Sequence, residues 1–183
     1  AVPAGIATTA LYYAVNKVIR HSRGYLWSSF WHSFKTNMKQ GAFVTLVVAA
    51  AVVLVGLDGY IMYQFAKAGE KSGVLYVVFF VLMLVVIAWA IYVFPYMARF
   101  ENSTKLILKN SALMAIGNLP KTFMALMFFL ACCIGTYLLP VVAIISPALG
   151  MLLLNYILEG VFERYMSDED REAENERNQE FYN

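Results

Sequence analysis

The sequence has few charged residues, two histidines and two cysteines. Charged residues make up 14% of the 183 positions and apolar residues 61%, whereas a soluble globular domain has about 25% and about 45–50%. A water-facing surface cannot cover so much apolar area. The composition therefore excludes a nucleic-acid binder, a disordered regulator and an ordinary soluble enzyme. It indicates an integral membrane protein, with the lipid bilayer as its surroundings.

The residues that usually carry catalysis are also scarce. Cys132 and Cys133 are adjacent within an apolar run, so they form no disulfide framework and lack metal-ligand spacing. His21 and His32 are isolated from each other, and no HExxH motif or Gly-rich phosphate loop is present. No nucleophile and base share one face of a helix. We expect no catalytic, cofactor-binding or metal site, and no enzymatic activity.

What the sequence has is long uncharged runs, at residues 40–57, 73–98 and 122–158. The last is 37 residues long, and a single helix of that length would reach about 55 Å, against a hydrocarbon core of about 30 Å. This run must fold back, and Pro140 and Pro147 mark the place, with Ser146 as N-cap. The fold class is all-α, a polytopic transmembrane helical bundle. We predict four full spans, at about residues 41–62, 73–98, 121–139 and 147–164.

The ends of the chain differ from this body. The apolar stretch at residues 1–15 is too short to span a bilayer, so we read it as the end of a truncated N-terminal helix. From Glu163 onward the chain carries eight acidic and three basic residues. We therefore divide the chain into a transmembrane domain at 1–165 and an acidic cytoplasmic tail at 166–183.

Basic residues predict the orientation in the membrane. With four spans, twelve Lys and Arg residues fall on one side, against only Lys67 and Lys71 on the other. By the positive-inside rule the richer side is the cytoplasm. The C-terminus is then cytoplasmic, and the loop around Glu70 is external. We expect Glu159, near the cytoplasmic end of the last span, to meet interface water or a lysine.

Two cytoplasmic segments have amphipathic patterns. Residues 24–40 place Trp27 and Trp31 on one face together with Phe30, Phe34 and Met38. This pattern is typical of a helix lying in the membrane interface, and it also suits a partner-docking surface. Residues 99–121 form the second segment, in which Glu101 and Lys105 have the spacing of an i,i+4 ion pair. We expect its helix to end at Gly117, because the residue before Pro120 resists helix.

Four short motifs resemble those of the YesL-like family of bacterial membrane proteins, a domain of unknown function. The motifs are Thr8-Thr9-Ala10-Leu11-Tyr12-Tyr13, Phe30-Trp31 with Phe34-Lys35 and Asn37, Phe94-Pro95 with Ala98-Arg99-Phe100-Glu101-Asn102, and Asn118-Leu119-Pro120. The resemblance runs to about Tyr165. It implies a polytopic membrane fold preceded by a further apolar segment, and an association with carbohydrate ABC importers and sugar-responsive two-component systems. The acidic tail is not part of that pattern.

The second segment can also be compared with the cytoplasmic coupling loop of ABC permeases. That loop has an E-A-A-x-x-x-G pattern followed, about nineteen residues after the Glu, by L-P. Here Glu101 is followed by Leu119-Pro120 at this spacing, but Ile107 replaces the glycine. A plain interfacial connector is the competing interpretation.

Our leading hypothesis is a non-enzymatic accessory or regulatory subunit that contacts the permease or ATPase of a carbohydrate ABC importer. The alternative is a membrane component of sugar sensing, partnered with a histidine kinase. The candidate partner-binding residues are Trp27, Trp31, Glu101, Asn102, Lys105, Asn110, Leu119 and Pro120.

Overall fold

The computed structural model describes residues 2–20, 24–139, 141–166, 168 and 171–172, and this part of the chain contains helices and no strand. The predicted all-α class is confirmed. The helices are α1 (Val2–Val15), α2 (Leu26–Thr36), α3 (Met38–Lys67), α4 (Tyr76–Arg99), α5 (Thr104–Gly117), α6 (Leu119–Leu138) and α7 (Val142–Tyr165). A π-helical turn, Asn16–Arg20, follows α1, and a 3-10 turn, Lys71–Leu75, precedes α4.

Three helical segments are long and apolar enough to cross a membrane: Met38–Lys67, Lys71–Arg99 and Leu119–Leu138. They correspond to the first three of the four spans predicted from the sequence. Their apolar side chains are largely exposed on the protein surface, with only 11–22% of each apolar window buried inside the structure. Exposed apolar surface of this extent is what a lipid-facing helix requires. The molecule is therefore a helical membrane protein.

The core lies around the second half of α4, where it meets α1, the first half of α3, α5 and the second half of α7. Gly5 and Gly41 allow the close approach of α1 to α3: a Cβ at Gly5 would overlap Thr45 Oγ1, and one at Gly41 would lie 3.1 Å from Ile6. Beyond this contact α3 and α4 continue as a hairpin. Gly73 closes its turn against the backbone of Ala66, where no side chain would fit.

After α4 the chain reverses, and α5 packs back along α4. The Trp89 indole nitrogen donates to the Leu108 carbonyl at 3.2 Å and to Ser111 Oγ at 3.1 Å, although Trp89 lies ten residues before the end of α4. Thr122, in the first turn of α6, is 3.0 Å from the hydroxyl of Tyr92. The α6 helix therefore begins beside the middle of α4 and not beyond its end.

The order of contacts gives the direction of α7. Tyr12 touches Glu159, whereas Val15 and Ile19, later in the first segment, share a cavity with Leu152 and Asn155, earlier in α7. α7 is therefore antiparallel to α1. α1 in turn is antiparallel to α3, because Gly5 lies against Thr45 and Ile6 against Gly41. α7 is then antiparallel to α4 as well, so the α6–α7 turn and the 68–75 loop point to different ends of the molecule.

This direction differs from the one that the four alternating spans expected from the sequence would give. Four alternating spans would place the α6–α7 turn beside the 68–75 loop, with α7 parallel to α4. The difference arises at α5, which folds back along α4 by about 20 Å for its 14 residues. As a result α6 starts beside the middle of α4, and the spacing of the sequence alone does not predict this position.

Two helix boundaries also differ from the expectations. The last helix starts at Val142, so Pro147 lies inside it and Ser146 is not its N-cap. A proline there leaves one backbone carbonyl without an intrahelical donor, which membrane helices tolerate when neighbouring groups compensate. The interfacial helix ends at Thr36, and Met38 belongs to α3. The end of α5 at Gly117 is confirmed. Most of the acidic tail at 166–183 lies outside the described residues.

Candidate functional site

A buried carboxylate joins α1, α4 and α7. The Glu159 side chain has no solvent exposure. Its Oε1 accepts a hydrogen bond from the Tyr12 hydroxyl at 2.9 Å, and its Oε2 accepts one from Arg99 Nε at 3.2 Å. Arg99 is itself 13% exposed. In the described part of the chain its carboxylate therefore bonds to a tyrosine and an arginine on two other helices.

A ring cluster packs against this ion pair. Phe162 is fully buried, and four rings meet it edge-on, at centroid distances of 6.3 Å for Tyr12, 6.5 Å for Tyr92, 6.1 Å for Tyr96 and 5.8 Å for Phe100. Edge-to-face pairs add about 0.5–1.5 kcal/mol each beyond their area burial. The cluster therefore fixes the C-terminal part of α7 against α1 and α4.

Two of the predicted partner-binding residues point inward. Asn102 Nδ2 and Asn110 Nδ2 each donate to the Tyr96 hydroxyl at 3.0 Å. Gln40, in the first turn of α3, donates to the Asn102 carbonyl at 2.8 Å. Asn102 and Asn110 thus hold the α4–α5 connection and α5 itself onto α4. Their role in this structure is to position the segment.

The α5–α6 junction is fixed in the same way. Asn118 Nδ2 donates to the Met114 carbonyl at 3.1 Å and to the Tyr165 hydroxyl at 3.2 Å. Thr122 Oγ1 lies 2.7 Å from the Ala115 carbonyl. These bonds tie the ends of α5, α6 and α7 together. Segment 99–121 is therefore a well-anchored unit and not a loose connector.

The other side of this segment is exposed. We call it the outer face of α5, and its members are Glu101, Lys105, Leu106, Leu113, Ile116, Leu119 and Pro120. Leu113, Ile116 and Leu119 are 57%, 65% and 64% exposed. Glu101 precedes the first helical residue, Thr104, and in the described part of the chain no ion pair joins it to Lys105. The expected i,i+4 pair is absent because its first member lies outside the helix.

The α2 helix has two distinct sides. Ser29 and Ser33 are buried, and Asn37 Nδ2 donates to Ser33 Oγ at 3.1 Å. Trp27 and Trp31 are exposed and stack edge-to-face at 5.8 Å. The small serines thus allow α2 to pack closely on the protein, and the indole rings point away from it. This orientation suits the interfacial anchoring expected from the sequence.

Comparison with known proteins gives one partial match. Residues 2–59, just under a third of the chain, match the model of a family described as a protein of unknown function, DUF624. The matched stretch covers α1, α2 and most of α3. No curated protein and no solved structure matches the chain. Within the described residues, no three His, Cys, Asp or Glu side chains are grouped so as to hold a metal ion.

Proposed function

We propose that this protein is a non-enzymatic accessory or regulatory subunit of a bacterial carbohydrate ABC importer. The match of residues 2–59 to a family of unknown function supports assignment to the YesL-like family, which the four motifs resemble. The association with importers rests on that resemblance. The observation that carries the proposal is a rigid segment, 99–121, whose outer face is left bare.

The two sides of this segment have different roles. Ile107, Ser111 and Met114 are buried against the core, and Asn102, Asn110 and Asn118 bond inward. A surface held in this way loses little conformational entropy when a partner docks. The outer face of α5 combines an apolar row with a carboxylate and an ammonium group. This combination fits a groove with an apolar floor and a polar rim, as protein interfaces have.

The membrane arrangement that we propose follows the charges and the helix directions. α3 and α4 cross the cytoplasmic membrane with Lys67 and Lys71 outside, since the sequence places the other twelve basic residues either no later than the first turn of α3 or from the last turn of α4 onward. The C-terminus is then cytoplasmic. α7 has an uncharged stretch at 142–158, which can lie within the bilayer. Because it is antiparallel to α4, we propose that the α6–α7 hairpin is embedded from the cytoplasmic side.

Affinity purification of the full-length protein from native membranes tests this function. The bait is the tagged chain, solubilised after mild cross-linking, and the matched control is a tagged membrane protein of similar size from the same cells. We expect permease and ATPase peptides of one carbohydrate importer above the control. Recovery of a histidine kinase instead would support the sensing alternative. Recovery of neither would refute both.

A further inference from the structure

A cavity of about 190 Å³ lies between the end of α1 and the middle of α7. Its lining residues are Val15, Ile19, Leu152, Asn155 and Tyr156. This is far more space than one water molecule needs. Tyr156 is 81% exposed and Ile19 is 49% exposed, so the cavity opens on that side to the surroundings of the protein.

Asn155 is the one amide among the described residues that line this cavity. The residue is only 4% exposed, and its Nδ2 has no hydrogen-bond partner among the described residues. A buried N–H group without a partner destabilises the fold unless something supplies an acceptor. Water would be poorly held here, because an ordered water needs two to four polar partners and the other lining residues are mainly apolar. The cavity therefore suits an apolar ligand that carries one hydrogen-bond acceptor.

The position of the cavity relative to the membrane restricts the class of ligand further. Lys17, two residues after Val15, packs its ammonium 5.6 Å from the Tyr13 ring centroid. A lysine beside an aromatic ring is characteristic of the membrane–water interface. The glycerol esters of phospholipids lie at this depth, with a carbonyl acceptor directly attached to an acyl chain. This site is separate from the outer face of α5 and does not depend on the proposed function.

We propose that this cavity binds the glycerol-ester region of a phospholipid. Asn155 Nδ2 donates to an ester carbonyl, and the first carbons of the acyl chain pack on Val15, Ile19 and Leu152. The headgroup remains outside, so the site recognises the ester and not the charge of the headgroup. The lipid thereby joins α1 to α7 one turn from the Glu159 ion pair.

The test compares two lipids that differ only at the carbonyl. The full-length protein in detergent is titrated with dioleoylphosphatidylglycerol and with its ether-linked analogue, and binding is followed by native mass spectrometry. Because one neutral hydrogen bond contributes about 0.5–1.5 kcal/mol, we expect the ester lipid to bind wild type about 2–10-fold more tightly. Equal affinity of wild type for the two lipids would overturn the proposal, and a merely hydrated cavity gives that result.

Three variants sharpen the test. Asn155→Leu keeps the branching and the number of heavy atoms of the side chain and removes the donor, so the preference for the ester should disappear. Leu152→Trp fills the cavity and should weaken the binding of both lipids. Its control, Leu153→Trp, alters an exposed residue that does not line the cavity and should leave both affinities unchanged. Unaltered binding to Leu152→Trp would contradict the assignment even if Asn155→Leu does not fold.

Discussion

Arg99 Nε lies 3.2 Å from Glu159 Oε2, and this bond ties the last turn of α4 to α7 within a cluster of aromatic rings. The Glu159 carboxylate has no exposure to solvent. Removing one member of a buried ion pair leaves an uncompensated charge, which costs about 3–5 kcal/mol. Replacing both members by apolar residues is often neutral. Loss of either member alone should therefore destabilise the fold more than loss of both.

The first prediction follows from this relationship. Arg99→Met should lower the free energy of unfolding by about 3–5 kcal/mol, measured by denaturant titration in detergent. The double variant Arg99→Met with Glu159→Leu should recover most of the loss. A single variant within about 1 kcal/mol of wild type would mean that the pair is solvated, as an exposed pair is.

The second prediction concerns two glycines. Gly5→Ala places a methyl group onto Thr45 Oγ1 and close to the Phe94 ring, so α1 must move away from α3. We expect a loss of about 1–3 kcal/mol, as for other overpacked cores. Gly150→Ala is the matched control, since its Cβ meets nothing within 4 Å and the change gains helix propensity of up to about 1 kcal/mol. The measurement is the melting temperature of each variant by thermal unfolding. Equal melting temperatures would argue against the tight α1–α3 contact.

The third prediction concerns the Tyr96 hydroxyl. Tyr96→Phe removes the acceptor for both Asn102 and Asn110, so the α4–α5 connection loses two hydrogen bonds. We expect destabilisation of about 1–3 kcal/mol and faster hydrogen exchange at residues 100–110. Tyr137→Phe, at a position 87% exposed, should stay within about 0.5 kcal/mol of wild type. Unchanged exchange would show that the asparagines find other acceptors.

The fourth prediction distinguishes two membrane arrangements. Single cysteines are placed at Glu70 and Leu139 in a background of Cys132→Ala and Cys133→Ala. An impermeant reagent applied to intact cells should label position 70 and leave position 139 unlabelled. Labelling of both positions would restore the four alternating spans expected from the sequence, with α7 parallel to α4.

The sequence predicted the helices far better than their arrangement. Uncharged runs locate α3, α4 and α6, because apolar length is the dominant requirement for crossing a bilayer. Helix directions depend on long-range pairs such as Tyr12 with Glu159, which are separated by 147 positions. No local pattern encodes such a pair. The fold-back of α5 was missed for the same reason, since Trp89 bonds to α5 through contacts that have no sequence signature.

The exposure of the candidate partner-binding residues was predicted in part. Exposure of Glu101, Lys105, Leu119 and Pro120 agrees with a surface role, because exposed charges flanking apolar residues produce the amphipathic signal. Asn102 and Asn110 carry the same polar signal but bond inward, and periodicity cannot separate these two uses of an amide. The partner of Glu159 could have been predicted from the sequence. A carboxylate within an apolar helix needs a partner, and Arg99 is the last residue of another apolar helix, α4.

We propose that the outer face of α5 binds the importer. Truncating a desolvated, hydrogen-bonded charge at an interface costs about 2–5 kcal/mol, or at least about tenfold in affinity, whereas exposed surface charges contribute at most about 1 kcal/mol. The most direct measurement is the amount of importer that co-purifies with Glu101→Ala/Lys105→Ala, normalised to membrane yield, beside the matched control Glu70→Ala/Lys71→Ala at the other end of the molecule. We expect normal yield for both, with importer recovery reduced at least about tenfold only for the first. Undiminished importer on Glu101→Ala/Lys105→Ala at normal yield would contradict the proposal.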